Sequence, residues 1–146
     1  MCIRVLIADD QPRARRSLNA LLTAMRWSTP SHAGQPTPFN SFSVEVVGEA
    51  EDGLQAVQQV LALQPDVVLM DLQLHTASAS EPMLSGMATI ETIRSRWPAI
   101  RIVVLTMYAT DRASVLAAGA DAFLLKGCPT RELLDAVLAR QADLPG

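Results

Sequence analysis

The sequence predicts an α/β fold: one five-stranded parallel sheet with helices on both faces. Three observations carry this. Five short, continuous apolar runs alternate with amphipathic helical stripes. Each of four of those runs is closed by a chemically distinctive polar residue, Asp9, Asp71, Thr106 or Lys126. The length of 146 residues, 49% hydrophobic, suits one buried core and fits two domains poorly.

Residues 3–8 form the first β-branched run, stopped by Asp9-Asp10, and Pro12 then suits the first turn of a helix. Ala14, Leu18, Leu21, Leu22 and Met25 lie on one stripe, with Arg15, Arg16 and Asn19 outside. Residues 27–43, rich in Pro, Ser and Thr, read as an irregular surface loop. A second strand is expected over 44–50. Leu54, Val57, Val60 and Leu61 mark the next helix, ended by Pro65. Residues 67–70 are a third strand, closed by Asp71, and a second irregular stretch covers 75–85. Met87, Ile90, Ile93 and Trp97 mark a third helix, stopped by Pro98. Residues 102–105 are a fourth strand ending at Thr106; Val115, Leu116 and Ala118 suggest a short helix closed by Gly119. Residues 122–125 are a fifth strand ending at Lys126. The last helix opens at Pro129 or Thr130 and carries Leu133, Leu134, Val137 and Leu138.

Net charge is −3 and pI about 5.3, which argues against wholesale binding to nucleic acid or an acidic membrane. No apolar run approaches bilayer length, and residue 4 is followed by acidic residues, unlike a secretory leader. The two cysteines, Cys2 and Cys128, suggest no disulfide framework, so a reducing cytoplasm is expected.

In open parallel sheets, ligands bind outside the carboxyl ends of the strands. Asp9, Asp10, Asp71, Thr106 and Lys126 all sit at such ends, so they converge if the middle strands are neighbours. Three ionised carboxylates in one pocket repel by roughly 4 kcal/mol per pair at about 4 Å and an effective dielectric of about 20. Lys126, the sole lysine among 12 Lys and Arg residues, offsets only part of that. A hard divalent cation completes the balance, and Mg²⁺ suits a few carboxylates with exchangeable waters. A cation, a lysine and a threonine hydroxyl together suit a tetrahedral dianion, and a carboxylate there can be the nucleophile that forms an aspartyl phosphate. Asp71, on the central strand, is the choice.

The stretches VLIADDQPRARRSLNALL, VVGEAEDGLQAV, PDVVLMDLQL, IRIVVLTMY and AGADAFLLKG resemble the receiver domain of two-component response regulators. The GEAEDG, LTMY and FLLKG wording is most similar to receivers that precede a LuxR/NarL-type helix-turn-helix. The resemblance implies a flavodoxin-like (βα)5 fold with strand order 2-1-3-4-5, covering residues 1–146 with no output domain in this chain. It implies Asp71 as phosphoacceptor and metal ligand, Asp10 as a direct Mg²⁺ ligand, and Asp9 as a member of the metal site that acts through water or an outer contact. The backbone carbonyl of Gln73 would complete the metal site. Lys126 would pair with the phosphoryl group, Thr106 would close on it, and Phe123 would be the rotating switch aromatic. It further implies a sensor histidine kinase as donor and regulation of transcription through a separate DNA-binding domain. A homodimer would form through the face of the fourth helix, fifth strand and last helix, or through the first and last helices. The sequence departs from the family in three places: residues 75–81 look inserted beside the pocket, the loop before the second strand is long, and the stretch from Thr106 to Lys126 is short.

Plainer readings stand beside these. Asp9-Asp10 alone suits a helix N-cap, Asp71 a turn, Lys126 a solvated side chain, Thr106 a strand end, and Phe123 a core filler. Arg13, Arg15 and Arg16 read as a solvated face, His32 and His75 as loop residues, and Cys128 as an ordinary residue before the last helix. The alternatives to a phosphorylated switch, which is not a metabolic enzyme, are a phosphorylation-independent pseudo-receiver and a small Mg²⁺-dependent phosphohydrolase.

Overall fold

The computed structural model describes residues 2–24, 26–28, 41–72, 85–107 and 112–142. The elements are β1 (Cys2–Ala8), α1 (Pro12–Ala24), β2 (Arg26–Ser28), β3 (Ser41–Ala50), α2 (Gly53–Leu63), β4 (Val67–Asp71), α3 (Gly86–Arg96), β5 (Arg101–Thr106), α4 (Arg112–Ala118), β6 (Ala122–Leu125) and α5 (Thr130–Ala142). The sheet order is β2-β3-β1-β4-β5-β6. The five expected strands are all parallel and stand in the expected order 2-1-3-4-5, here β3-β1-β4-β5-β6.

Two expectations need correction. The stretch 27–43 is not irregular throughout. Arg26–Ser28 pairs antiparallel with Ser41, Phe42 and Ser43, which lengthens β3 at its start and adds a short sixth strand at that edge. Trp27 and Phe42, opposite each other in this ladder, are good strand formers, but three residues are too few to show a period. The second correction concerns half of the α2 stripe: Val60 is buried and Val57 packs partly against the core as expected, but Leu54 and Leu61 do not. The buried residues of α2 are Gly53, Ala56 and Val60, while Leu54 and Leu61 are exposed. Asp52 caps the helix by accepting from the Gln55 N–H at 2.8 Å, and small Gly53 and Ala56 form the face that lies closest to the core.

Period-two alternation along the strands divides the core in two. Leu6, Ala8, Val68, Met70, Ile102 and Val104 pack on one face, against Ala56, Val60, Ile90, Ile93 and Val115 of α2, α3 and α4. Ile3, Val5, Ile7, Val67, Leu69, Val103 and Leu105 pack on the other, against Leu22 of α1 and Leu133, Leu134, Val137 and Leu138 of α5. The short fourth helix expected before Gly119 is present, with Val115 buried. Among the described residues no helix is long and apolar enough to cross a membrane.

The junction after β4 is tight. Ser85 caps α3 by accepting from the Ala88 N–H at 3.1 Å. A Cβ on the next residue, Gly86, would lie 2.0 Å from the carbonyl oxygen of Leu72, the residue that follows Asp71. Only glycine lets this helix start press on the backbone there. Alanine is the better helix former by about 1 kcal/mol, but the clash is with backbone and cannot swing aside. Gly86→Ala is therefore expected to lower the unfolding free energy by about 1–3 kcal/mol, measured by urea denaturation; an unchanged or raised midpoint contradicts the contact.

Candidate functional site

The parallel register sets the site. Ala8 pairs with both Ala50 and Met70, Asp71 pairs with Leu105, and Thr106 pairs with Leu125. The next residue along each of β1 and β4 is therefore an aspartate at the same level, and Lys126 follows β6 at the same rim. Two backbone bonds extend this order past the strand ends: the Asp9 N–H donates to the Ala50 carbonyl at 3.0 Å, and the Lys126 N–H to the Thr106 carbonyl at 2.8 Å. After Lys126 the chain turns through Gly127, whose φ of +89° is a left-handed conformation that suits glycine. The Cys128 N–H closes the turn onto the Leu125 carbonyl at 3.1 Å.

The side chains of Asp9, Asp10 and Asp71 converge, with one carboxylate oxygen from each lying within 4.8 Å of the others. Asp9 is 2% exposed and Asp71 6%. The Lys126 ammonium donates to Asp71 Oδ2 at 2.8 Å and to Asp9 Oδ2 at 3.1 Å, with its side chain 23% exposed. Gln11 N–H donates to Asp9 Oδ1 at 2.9 Å. Burial alone would push the Lys126 pKa down. The hydrogen bonds and negative charge of Asp71 and Asp9 outweigh burial and hold it above its ordinary value. One ammonium against three carboxylates leaves the rim with excess negative charge. Its donors are all oxygens, with no His or Cys among them, so it suits a hard divalent cation.

The expected residues Asp9, Asp10, Asp71 and Lys126 are thus brought together. Thr106 is fully buried at the end of β5, its backbone joined to Lys126. Phe123 is partly buried against the α2–α4 side of the core, and with Arg112, Lys126 and Glu132 it lines an open groove of about 440 Å³. Burial and Glu132 push the Cys128 thiol up, which favours its protonated form. Gln73, His32, His75 and the stretch 75–81 lie outside the described residues.

Arg15, expected with Arg13 and Arg16 on a solvated face, is instead largely buried. Its side chain is only 11% exposed. Its Nη1 donates to the Asp9 carbonyl at 2.6 Å, and its guanidinium pairs with Glu49 at 3.2 Å and Glu51 at 3.6 Å. The only signal in the sequence is the pair of acids at 49 and 51, whose proximity to position 15 depends on the β3–α1 packing.

Known proteins resemble this chain in sequence and fold. The response regulator receiver domain family matches residues 36–138. The transcriptional regulatory protein LiaR of Bacillus subtilis (strain 168) is 34% identical over 148 aligned residues, covering 98% of this chain and 58% of LiaR. The transcriptional regulatory protein YxjL of the same strain is 33% identical over 139 residues, covering 94% of this chain and 53% of YxjL. The chain thus spans about half the length of the curated relatives it matches. Among solved structures, a two-component response regulator of the LuxR family from Aurantimonas sp. SI85-9A1 superposes with a TM-score of 0.71 at 25% identity, covering 97% of this chain and 86% of that one.

The raised pKa of Lys126 fixes the sign of a pH effect. A lysine whose folded pKa exceeds its unfolded value contributes stability that is complete below the unfolded pKa and is lost as pH rises through the folded one. The difference in unfolding free energy between the wild type and Lys126→Met is expected to be flat from about pH 7 to about pH 10 and to shrink above that. Urea titrations at a series of pH values measure it; a difference that shrinks already below about pH 9 contradicts the assignment.

Proposed function

This chain belongs to the response regulator receiver family, of LuxR/NarL type, and we propose that it is the phosphorylation-dependent switch of a two-component system. Residues 1–146 form the receiver. Asp71 accepts a phosphoryl group from a phosphohistidine of a sensor histidine kinase. The observation that carries this reading is the buried Asp71 carboxylate at the β4 end, bonded at 2.8 Å to the lysine that also holds Asp9.

Transfer breaks the N–P bond of the donor as an Asp71 oxygen bonds to phosphorus; the departing imidazole nitrogen takes a proton, and the product is an aspartyl phosphate. Lys126 remains charged through the neutral range and supplies a donor where phosphoryl charge spreads over the equatorial oxygens. Asp9 keeps that ammonium at the rim. Thr106 contributes its hydroxyl to the phosphoryl group once it rotates toward it.

Mg²⁺ is the cofactor this donor set fits: Asp9, Asp10 and Asp71 would hold it, and the family resemblance adds the backbone carbonyl of Gln73. When bound it neutralises charge on the carboxylates and on the incoming phosphoryl oxygens. The phosphorylated state shifts Thr106 and Phe123, and with them the face of α4, β6 and α5 or that of α1 and α5, where a homodimer forms. The output is transcription through a DNA-binding domain outside these residues, in the cytoplasm. The chemistry is a self-limited transfer, not the turnover of a metabolic enzyme.

Incubation with acetyl phosphate or phosphoramidate and Mg²⁺, followed by intact and peptide mass spectrometry, tests this. One phosphoryl group is expected on Asp71, none on Asp71→Asn, and none after chelation of the metal. Lys126→Met is expected to slow labelling by about 100-fold. Absence of any adduct on the wild type contradicts the proposal in favour of a phosphorylation-independent interaction module, and sustained release of phosphate beyond one equivalent contradicts it in favour of a hydrolase.

A further inference from the structure

Four hydrogen bonds hold Asp9. Its N–H reaches Ala50 O, its Oδ1 accepts from Gln11 N–H, its Oδ2 accepts from Lys126, and its carbonyl accepts from Arg15 Nη1 at 2.6 Å. Three of the four come from neighbouring backbone or from the site itself. The fourth comes from a side chain on α1 that touches none of the three carboxylates by any hydrogen bond or ion pair described for it. The Asp9 carbonyl and the Asp10 N–H belong to one planar peptide unit. Whatever fixes that carbonyl also fixes the plane from which the Asp10 side chain departs.

Arg15 is itself fixed. Nε faces Glu49 Oε1 at 3.2 Å at the end of β3, and Nη2 faces Glu51 Oε1 at 3.6 Å just beyond it. The two glutamates pair with the guanidinium through Nε and Nη2, while Nη1 serves the Asp9 carbonyl, so its charge is balanced without an ion pair to the Asp9 or Asp71 carboxylate. A planar fork with five donors spread over three nitrogens can serve a carbonyl and two separated carboxylates at once in one fixed geometry, whereas a lysine presents all its donors from a single nitrogen.

We propose that Arg15 is a positioning residue of the cation site: anchored by Glu49 and Glu51, it sets the Asp9–Asp10 peptide so that both carboxylates meet Asp71. This rests on the reading that the acidic rim binds Mg²⁺. Affinity for the metal then depends on a residue that never contacts it.

Calorimetric titration of MgCl₂ into the whole chain tests it. Arg15→Met keeps the aliphatic stem and removes every donor. It is expected to bind Mg²⁺ about tenfold more weakly than the wild type while its metal-free thermal unfolding stays cooperative, and saturating Mg²⁺ is expected to restore labelling by acetyl phosphate. If Arg15→Met does not fold, Arg15→Gln, too short to reach the same acceptors, is measured against the same expectation. Affinity within about twofold of wild type, even with a lowered melting temperature, overturns the proposal and leaves Arg15 a purely structural residue. A wild type that binds no Mg²⁺ overturns it differently, because the metal site itself then fails.

Discussion

The structure depends on an ammonium held between two buried carboxylates. Asp9 and Asp71 sit at 2% and 6% exposure at the ends of adjacent central strands, and Lys126 bridges them. Buried charges at such spacing are tolerable only when paired, and removal of one partner from such a group is strongly destabilising. The rest of the fold serves to bring this lysine, 117 residues along the chain from Asp9, to that position. Parallel pairing levels the strand ends, the Thr106 carbonyl fixes the Lys126 backbone, and the Gly127 turn carries the chain away into α5. On the far side of Asp71, the Gly86 contact with Leu72 closes the approach of α3.

The pairing is incomplete by design of the residues themselves. Asp10 adds a third carboxylate within 4.8 Å, and the lysine cannot balance all three. A rim with surplus negative charge, oxygen donors and a nearby fixed ammonium has one natural complement: a divalent cation together with an anion that shares it. In the proposed reaction, a cation on the carboxylates and the ammonium beside Asp71 would let an aspartate, ordinarily a poor nucleophile, accept a phosphoryl group. Stability and the proposed chemistry therefore draw on the same four side chains, and changes at the rim are expected to act on both.

Much of this was legible in the sequence. Continuous apolar runs ending in Asp9, Asp71, Thr106 and Lys126 are strong signals, because a buried parallel strand admits polar residues only at its ends. The five-strand order comes from the family resemblance alone; given that order, the meeting of Asp9, Asp10, Asp71 and Lys126 follows from those ends. What escaped was set by tertiary contact. Three-residue β2 is too short to carry a period. In α2, the stripe built on Leu54 and Leu61 competes with one built on Gly53, Ala56 and Val60, and close packing on the sheet selects the smaller residues. Arg15 looks like its exposed neighbours Arg13 and Arg16 until β3 places two glutamates beside it.

The most direct measurement of the central claim is the location of a paramagnetic ion. In ¹H–¹⁵N spectra of the labelled chain titrated with substoichiometric Mn²⁺, the amides of Asp9, Asp10, Asp71 and Lys126 are predicted to broaden first and together. Broadening that begins instead around Glu49 and Glu51, or at scattered acidic surface positions while these four amides stay sharp, contradicts the account.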